Sequence, residues 1–159
     1  MSQATADLYD DHGEDLRVVA PIFRDYGGNK IFEGEVLTLK AFEDNTLVRA
    51  TLETAGEGRV LVVDAGGSMR CAMVGDQLAE LGVKNNWAGI VVYGCIRDVG
   101  PISELAIGVK ALGSNPRKSV KKGAGETDLP LRFAEVEIKT GDYLYADLDG
   151  IVLADSKLG

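Results

Sequence analysis

The stretch VLVVDAGGSMRCAMVGDQLAELGVKNNWAGIVVYGCIRD, residues 60–98, decides the fold. It opens on Val60-Leu61-Val62-Val63, a short β-branched run followed by Asp64-Ala65-Gly66-Gly67, which reads as a buried strand ending in a tight turn. Next, Gly75-Asp76 opens a helix on which Leu78, Leu81, Gly82 and Asn85 share a face, and a second apolar run follows at residues 89–93. Strand, loop, helix and strand in that order predict a parallel pair, with functional groups at the strand carboxyl ends. Arg97-Asp98 stand just past one such end.

Outward from this unit, Pro21 and Gly27-Gly28 punctuate the chain before a strand-like stretch at residues 30–40. A helix is expected after it, capped by Asp44, with Leu47, Val48, Leu52 and Ala55 on one face and Gly56 as the stop. The last third reads as short strands near residues 106–111, 133–138, 142–146 and 151–154, separated by Gly, Pro and Asp turns. No repeat, low-complexity tract or linker-like composition shift interrupts the chain, so one domain is expected over residues 1–159. Helices in the middle and strands toward both ends predict a layered α/β domain with a partly separate β layer.

Composition excludes several function classes. A formal charge of −8, from 25 acids against 17 bases, speaks against a nucleic-acid duplex as main partner, because phosphate neutralisation needs a basic face. The local basic strip, Arg117-Lys118 with Lys121-Lys122, reads as a solvated loop and carries no nucleic-acid role. Acids dominate the first twenty residues (Asp7, Asp10, Asp11, Glu14, Asp15), the reverse of an export signal. No apolar run reaches the ~18 residues that span a bilayer. The chain is therefore expected in the cytoplasm, with Cys71 and Cys95 as buried, reduced thiols.

The single histidine, His12, lies in that acidic segment and reads as a surface residue. With the only imidazole placed there, no Ser-His-Asp triad is expected; one histidine makes no His-rich zinc site, and two widely spaced cysteines make no structural zinc site. Carboxylate and guanidinium chemistry remains, for which oxygen-preferring Mg²⁺ or Mn²⁺ are the natural companions. Arg97 and Asp98 bring a fixed cation fork and an anion out together where side chains can converge on a ligand, or else form a surface ion pair at the strand end. Asp76 falls at a helix N-terminus, either as a plain helix cap or where the backbone N–H groups of Gly75, Asp76, Gln77 and Leu78 can hold a substrate carboxylate.

Gly75-Asp76, twenty residues, then Arg97-Asp98 resembles the D-x20-R-D signature of RraA-like proteins and their class II pyruvate aldolases. Phe-Glu-Asp-Asn at 42–45, residues 60–68, Tyr-Gly-Cys-Ile-Arg-Asp at 93–98, residues 108–116, Gly-Ala-Gly-Glu at 123–126 and residues 141–147 are similar to the same family. The resemblance implies a three-layer β/β/α swivelling-type domain, usually a ring-shaped homotrimer, which could pair into a hexamer, with sites between subunits. It also implies a cytoplasmic enzyme that cleaves 4-hydroxy-4-methyl-2-oxoglutarate to two pyruvates and decarboxylates oxaloacetate through a metal-stabilised pyruvate enolate. Arg97 and Asp76 would then be catalytic, Asp98 the metal position, and residues 75–78 with Arg97 the keto-acid site. The alternative that the family offers is a regulator that binds ribonuclease E and restrains it without acting on RNA. Asp64-Ala65-Gly66-Gly67-Ser68 loosely resembles the glycine loop of S-adenosylmethionine-dependent methyltransferases, but such a loop belongs near the first strand of a larger doubly wound sheet.

Overall fold

The computed structural model describes residues 4–158; Met1 to Gln3 and Gly159, at the two ends of the expected domain, lie outside the described residues. In chain order the elements are α1 (Thr5–His12), β1 (Arg17–Val18), β2 (Arg24–Asp25), β3 (Phe32–Lys40), α2 (Thr46–Leu52), β4 (Val60–Asp64), β5 (Ala72–Val74), α3 (Asp76–Lys84), β6 (Gly89–Ile96), α4 (Val99–Ile102), β7 (Gly108–Ser114), β8 (Glu126–Thr127), β9 (Leu131–Phe133), β10 (Val136–Ile138), β11 (Tyr143–Asp147) and β12 (Gly150–Ala154).

The main sheet runs β1-β12-β11-β3-β4-β6-β7-β2, with β5 beside β6 and β8 beside β3. Its centre, β3-β4-β6-β7, is parallel, as the central run predicts. Successive crossovers step in one direction, and right-handed connections then place their helices on one face. Leu61 and Val63 of β4 and Ile90, Val92 and Ile96 of β6 pack on that helical side, with Val48 and Leu52 of α2 and Leu78 and Ala79 of α3. Val60, Val62 and Val91 point the other way, toward Leu144 and Ala146 of β11, Ile151 and Leu153 of β12, and the β9-β10 hairpin. A strand sandwiched on both faces has no polar side to show, which is why β4 reads as unbroken apolar sequence. The result is the three-layer β/β/α arrangement, with a curled sheet and few helices. α1 covers the outer surface of the β layer, where Leu8 joins Tyr145, Val152 and Ala154.

Gly89 and Gly108 are register partners on β6 and β7. A Cβ would lie 2.4 Å from the Phe32 ring at position 89 and 2.1 Å from it at position 108, so this glycine pair is the floor on which the ring lies.

Several boundaries differ from expectation. α2 ends at Leu52, leaving Ala55 exposed beyond it and Gly56 in the following turn. Residues 133–138 are not one strand: Ala134 and Glu135, at φ 50° and 66°, form the turn between β9 and β10. β5 and α4, of three and four residues, are too short for periodicity to register. Among the described residues, no helix is long and apolar enough to cross a membrane.

Candidate functional site

A cavity of about 270 Å³ opens where the connections following β3, β5, β6 and β7 converge. The β3–α2 connection and α2 contribute Asn45, Thr46 and Arg49; the β5–α3 junction contributes Gly75, Asp76, Gln77 and Leu78. Arg97 and Asp98 follow β6, while Lys118, Ser119 and Lys121 come from the loop after β7. The six residues proposed from sequence as a site, Gly75 to Leu78 with Arg97 and Asp98, therefore line one cavity. Arg97 and Asp98 also border an adjoining groove with Val99, Ser114, Asn115 and Pro116.

Asp98 occupies the left-handed region, at φ 61° and ψ 46°. Aspartate tolerates it better than most residues, and such conformations gather at functional sites. This bend turns the carboxylate back toward α3, where its Oδ2 accepts a hydrogen bond from the Asp76 backbone N–H at 3.0 Å. The expectation that this N–H serves a substrate is corrected accordingly, because Asp98 already takes it. Gly75 makes the approach possible: a Cβ there would stand 2.7 Å from Asp98 Oδ2. The N–H groups of Gln77 and Leu78, in the first turn of α3, have no partner among the described residues and remain as anion donors. Arg97 is anchored through Nη1 to the Pro116 carbonyl at 3.3 Å, which leaves most of its fork unengaged.

Among the described residues, no group of three or more His, Cys, Asp or Glu gathers to hold a metal. The donor set nevertheless fits a hard cation bound through one protein carboxylate and several outside oxygens, the habit of Mg²⁺. Asp98 Oδ2 is occupied, whereas Oδ1 accepts no hydrogen bond from the described residues.

The sequence reading missed the wall built by the loop after β7. Lys118 and Lys121, read as part of a solvated strip, are exposed yet line the cavity. Asn45 Oδ1 and Ser119 Oγ, which also line the cavity, are buried and have no hydrogen-bond partner among the described residues. Four bases in a chain of net charge −8 were the available signal, but only the fold shows that two of them, Lys118 and Lys121, line the cavity. His12 lies in the last turn of α1 on the far β layer. Cys71 and Cys95 are buried free thiols whose pKa values burial pushes up, so neither is an activated nucleophile.

The family model for RraA-like proteins, described as Aldolase/RraA, matches residues 5–153. A protein of Alkalilimnicola ehrlichii named "Putative 4-hydroxy-4-methyl-2-oxoglutarate aldolase" is 58% identical over 99% of this chain and 98% of its own. Among solved structures, the RNA-processing inhibitor RraA from Thermus thermophilis superposes with a TM-score of 0.96 at 43% identity, covering 100% of this chain and 96% of that one. A Geobacillus kaustophilus protein described as an S-adenosylmethionine:2-dimethylmenaquinone methyltransferase also gives 0.96, at 46% identity over 98% and 97% of the two chains.

Proposed function

Since this chain belongs to the RraA-like family, we propose that it is a cytoplasmic carbon–carbon lyase, a metal-dependent 4-hydroxy-4-methyl-2-oxoglutarate aldolase that also decarboxylates oxaloacetate. The observation that carries this reading is the convergence of Asp98 Oδ1, the Arg97 fork and the free N–H groups of α3 on one cavity. The substrate's keto-acid carboxylate is held by the Gln77 and Leu78 N–H groups, and Arg97 clamps the oxygens on which charge develops. Asp98 would hold Mg²⁺ or Mn²⁺, whose contribution is Lewis-acid stabilisation of negative charge on the keto-acid oxygens. With no histidine at the cavity, a water oriented by Asp76 takes the C4 hydroxyl proton as it gives one of its own to the Asp76 carboxylate. The C3–C4 bond then breaks, its electron pair passes into the enolate of one pyruvate, and the C4 carbonyl forms in the other. Protonation of the enolate at C3 completes two pyruvates.

The test is pyruvate release from the hydroxy diacid and from oxaloacetate with Mg²⁺ or Mn²⁺. Oxaloacetate needs no hydroxyl deprotonation, so Asp76→Asn is expected to slow aldol cleavage more than decarboxylation. Parallel losses would contradict the role given to Asp76.

A second reading, a ring that binds ribonuclease E, is supported by the likeness to the RNA-processing inhibitor and by an acidic surface suited to a basic partner. Inhibition should weaken with salt if charge drives the encounter; no binding at low salt would remove this reading. Methyl transfer is not proposed. Gly66 and Gly67 lie against the Phe42 and Tyr93 rings and do not line the cavity.

A further inference from the structure

The cavity wall that carries Lys118, Ser119 and Lys121 is a loop with little regular structure, residues 115–125, and a loop places side chains accurately only if its backbone is tied down. One buried carboxylate ties it. Asp44, 2% exposed, accepts hydrogen bonds from the Lys122 and Ala124 N–H groups at 2.9 and 3.1 Å through Oδ2. Through Oδ1 it accepts from Thr46 N at 3.0 Å and Thr46 Oγ1 at 2.7 Å. Thr46 Oγ1 in turn accepts from Gly123 N at 3.2 Å, and Val120 N donates to the Glu43 carbonyl at 3.0 Å. On one side of this clamp comes Asn45 and on the other Ser119, the two residues whose buried Oδ1 and Oγ lack partners among the described residues. Buried polar atoms without partners are rare in native chains and call for an external one.

Resting on the reading of the cavity as a keto-acid site, we propose that Asp44 is a positioning residue: it fastens the loop after β7 to the start of α2 so that Asn45, Ser119 and Lys121 meet the part of the substrate beyond the keto acid. The keto-acid end belongs to the α3 and Arg97 side, and the remaining length of a diacid must point across the cavity to this wall. Asp44 touches no substrate itself. Its four donors suit a carboxylate alone, because an asparagine offers one acceptor oxygen and turns an NH₂ on the other pair.

The experiment uses the full chain, as wild type, Asp44→Asn and Thr46→Val. In Asp44→Asn the amides of residues 120–124 are expected to exchange at least about ten-fold faster, with β4 and β6 unchanged. KM for oxaloacetate should rise about ten-fold while kcat stays within about three-fold, the mark of lost uniform binding. Oxalate, too short to reach the loop, should bind as it does to wild type. Thr46→Val should move each reading the same way by less, and it decides the matter if Asp44→Asn does not fold. Unchanged loop exchange, or a fall in kcat with KM and oxalate binding unmoved, would overturn the positioning role. A wild type that neither turns over a keto acid nor binds oxalate would instead overturn the site reading and the substrate half of this inference, while faster exchange at 120–124 would still report the clamp.

Discussion

Asp98 Oδ2 fills the space where a side chain at position 75 would begin, and Asp98 and Gly75 each make a separate prediction. Asparagine tolerates the left-handed region as aspartate does, so Asp98→Asn should leave thermal stability within about 0.5 kcal/mol of wild type while removing the charge a cation needs. Gly75 has ordinary extended backbone, φ −119° and ψ −171°, so alanine is conformationally allowed there and fails only by contact with Asp98 Oδ2. A carboxylate displaced by about 1 Å costs on the order of 10²-fold in turnover. Gly75→Ala is therefore expected to lose most activity with a small change in melting temperature, and full activity would show that Asp98 need not sit where it does.

Asp44 also makes a pH prediction. Burial disfavours its charged form, but the hydrogen bonds from Thr46, Ala124 and Lys122 outweigh burial and hold its pKa down at about 2, from an ordinary 3.8. A depressed folded pKa contributes stability that is fully present above the unfolded value and lost as pH falls through the folded one. The stability gap between wild type and Asp44→Asn should be constant from neutrality to about pH 5 and shrink between about pH 4 and 2. A gap independent of pH, followed by denaturant titration, would contradict the assignment.

At the scale of elements, legibility followed length and local chemistry. β4 and β6 were readable because both their faces are buried, and α3 because its apolar spacing and Gly75 N-terminus agree. The β9-β10 hairpin was not, since its two turn residues, Ala134 and Glu135, adopt positive φ without the Asn-Gly pair that signals such turns. That mismatch can be corrected. Ala134→Asn with Glu135→Gly should raise stability by about 1 kcal/mol by relieving left-handed strain, read as a higher melting temperature; a lower one would mean that the turn is not strained. The candidate site was half legible. Asp76, Arg97 and Asp98 carry a spaced motif, whereas Asn45, Ser119 and the lysines of the β7 loop become a wall only when Asp44 folds that loop across.

For the whole molecule, the resemblance and the exposed edges of the sheet support assembly into a trimer, which we propose as the working form; light scattering that gave a concentration-independent monomer would refute it. The exposed Phe42, Val99 and Val120 come from the connections after β3, β6 and β7 that help build the cavity, so a closed ring could shelter the site from water. The central claim is that the cavity at Asp98 performs metal-dependent carbon–carbon cleavage. Its most direct test is oxaloacetate decarboxylation by purified wild type and Asp98→Ala, each with Mg²⁺ or Mn²⁺ and again with chelator. Wild type should release pyruvate above the metal-only background and fall to that background with chelator, and Asp98→Ala should remain there throughout; equal rates for the two proteins would contradict the claim.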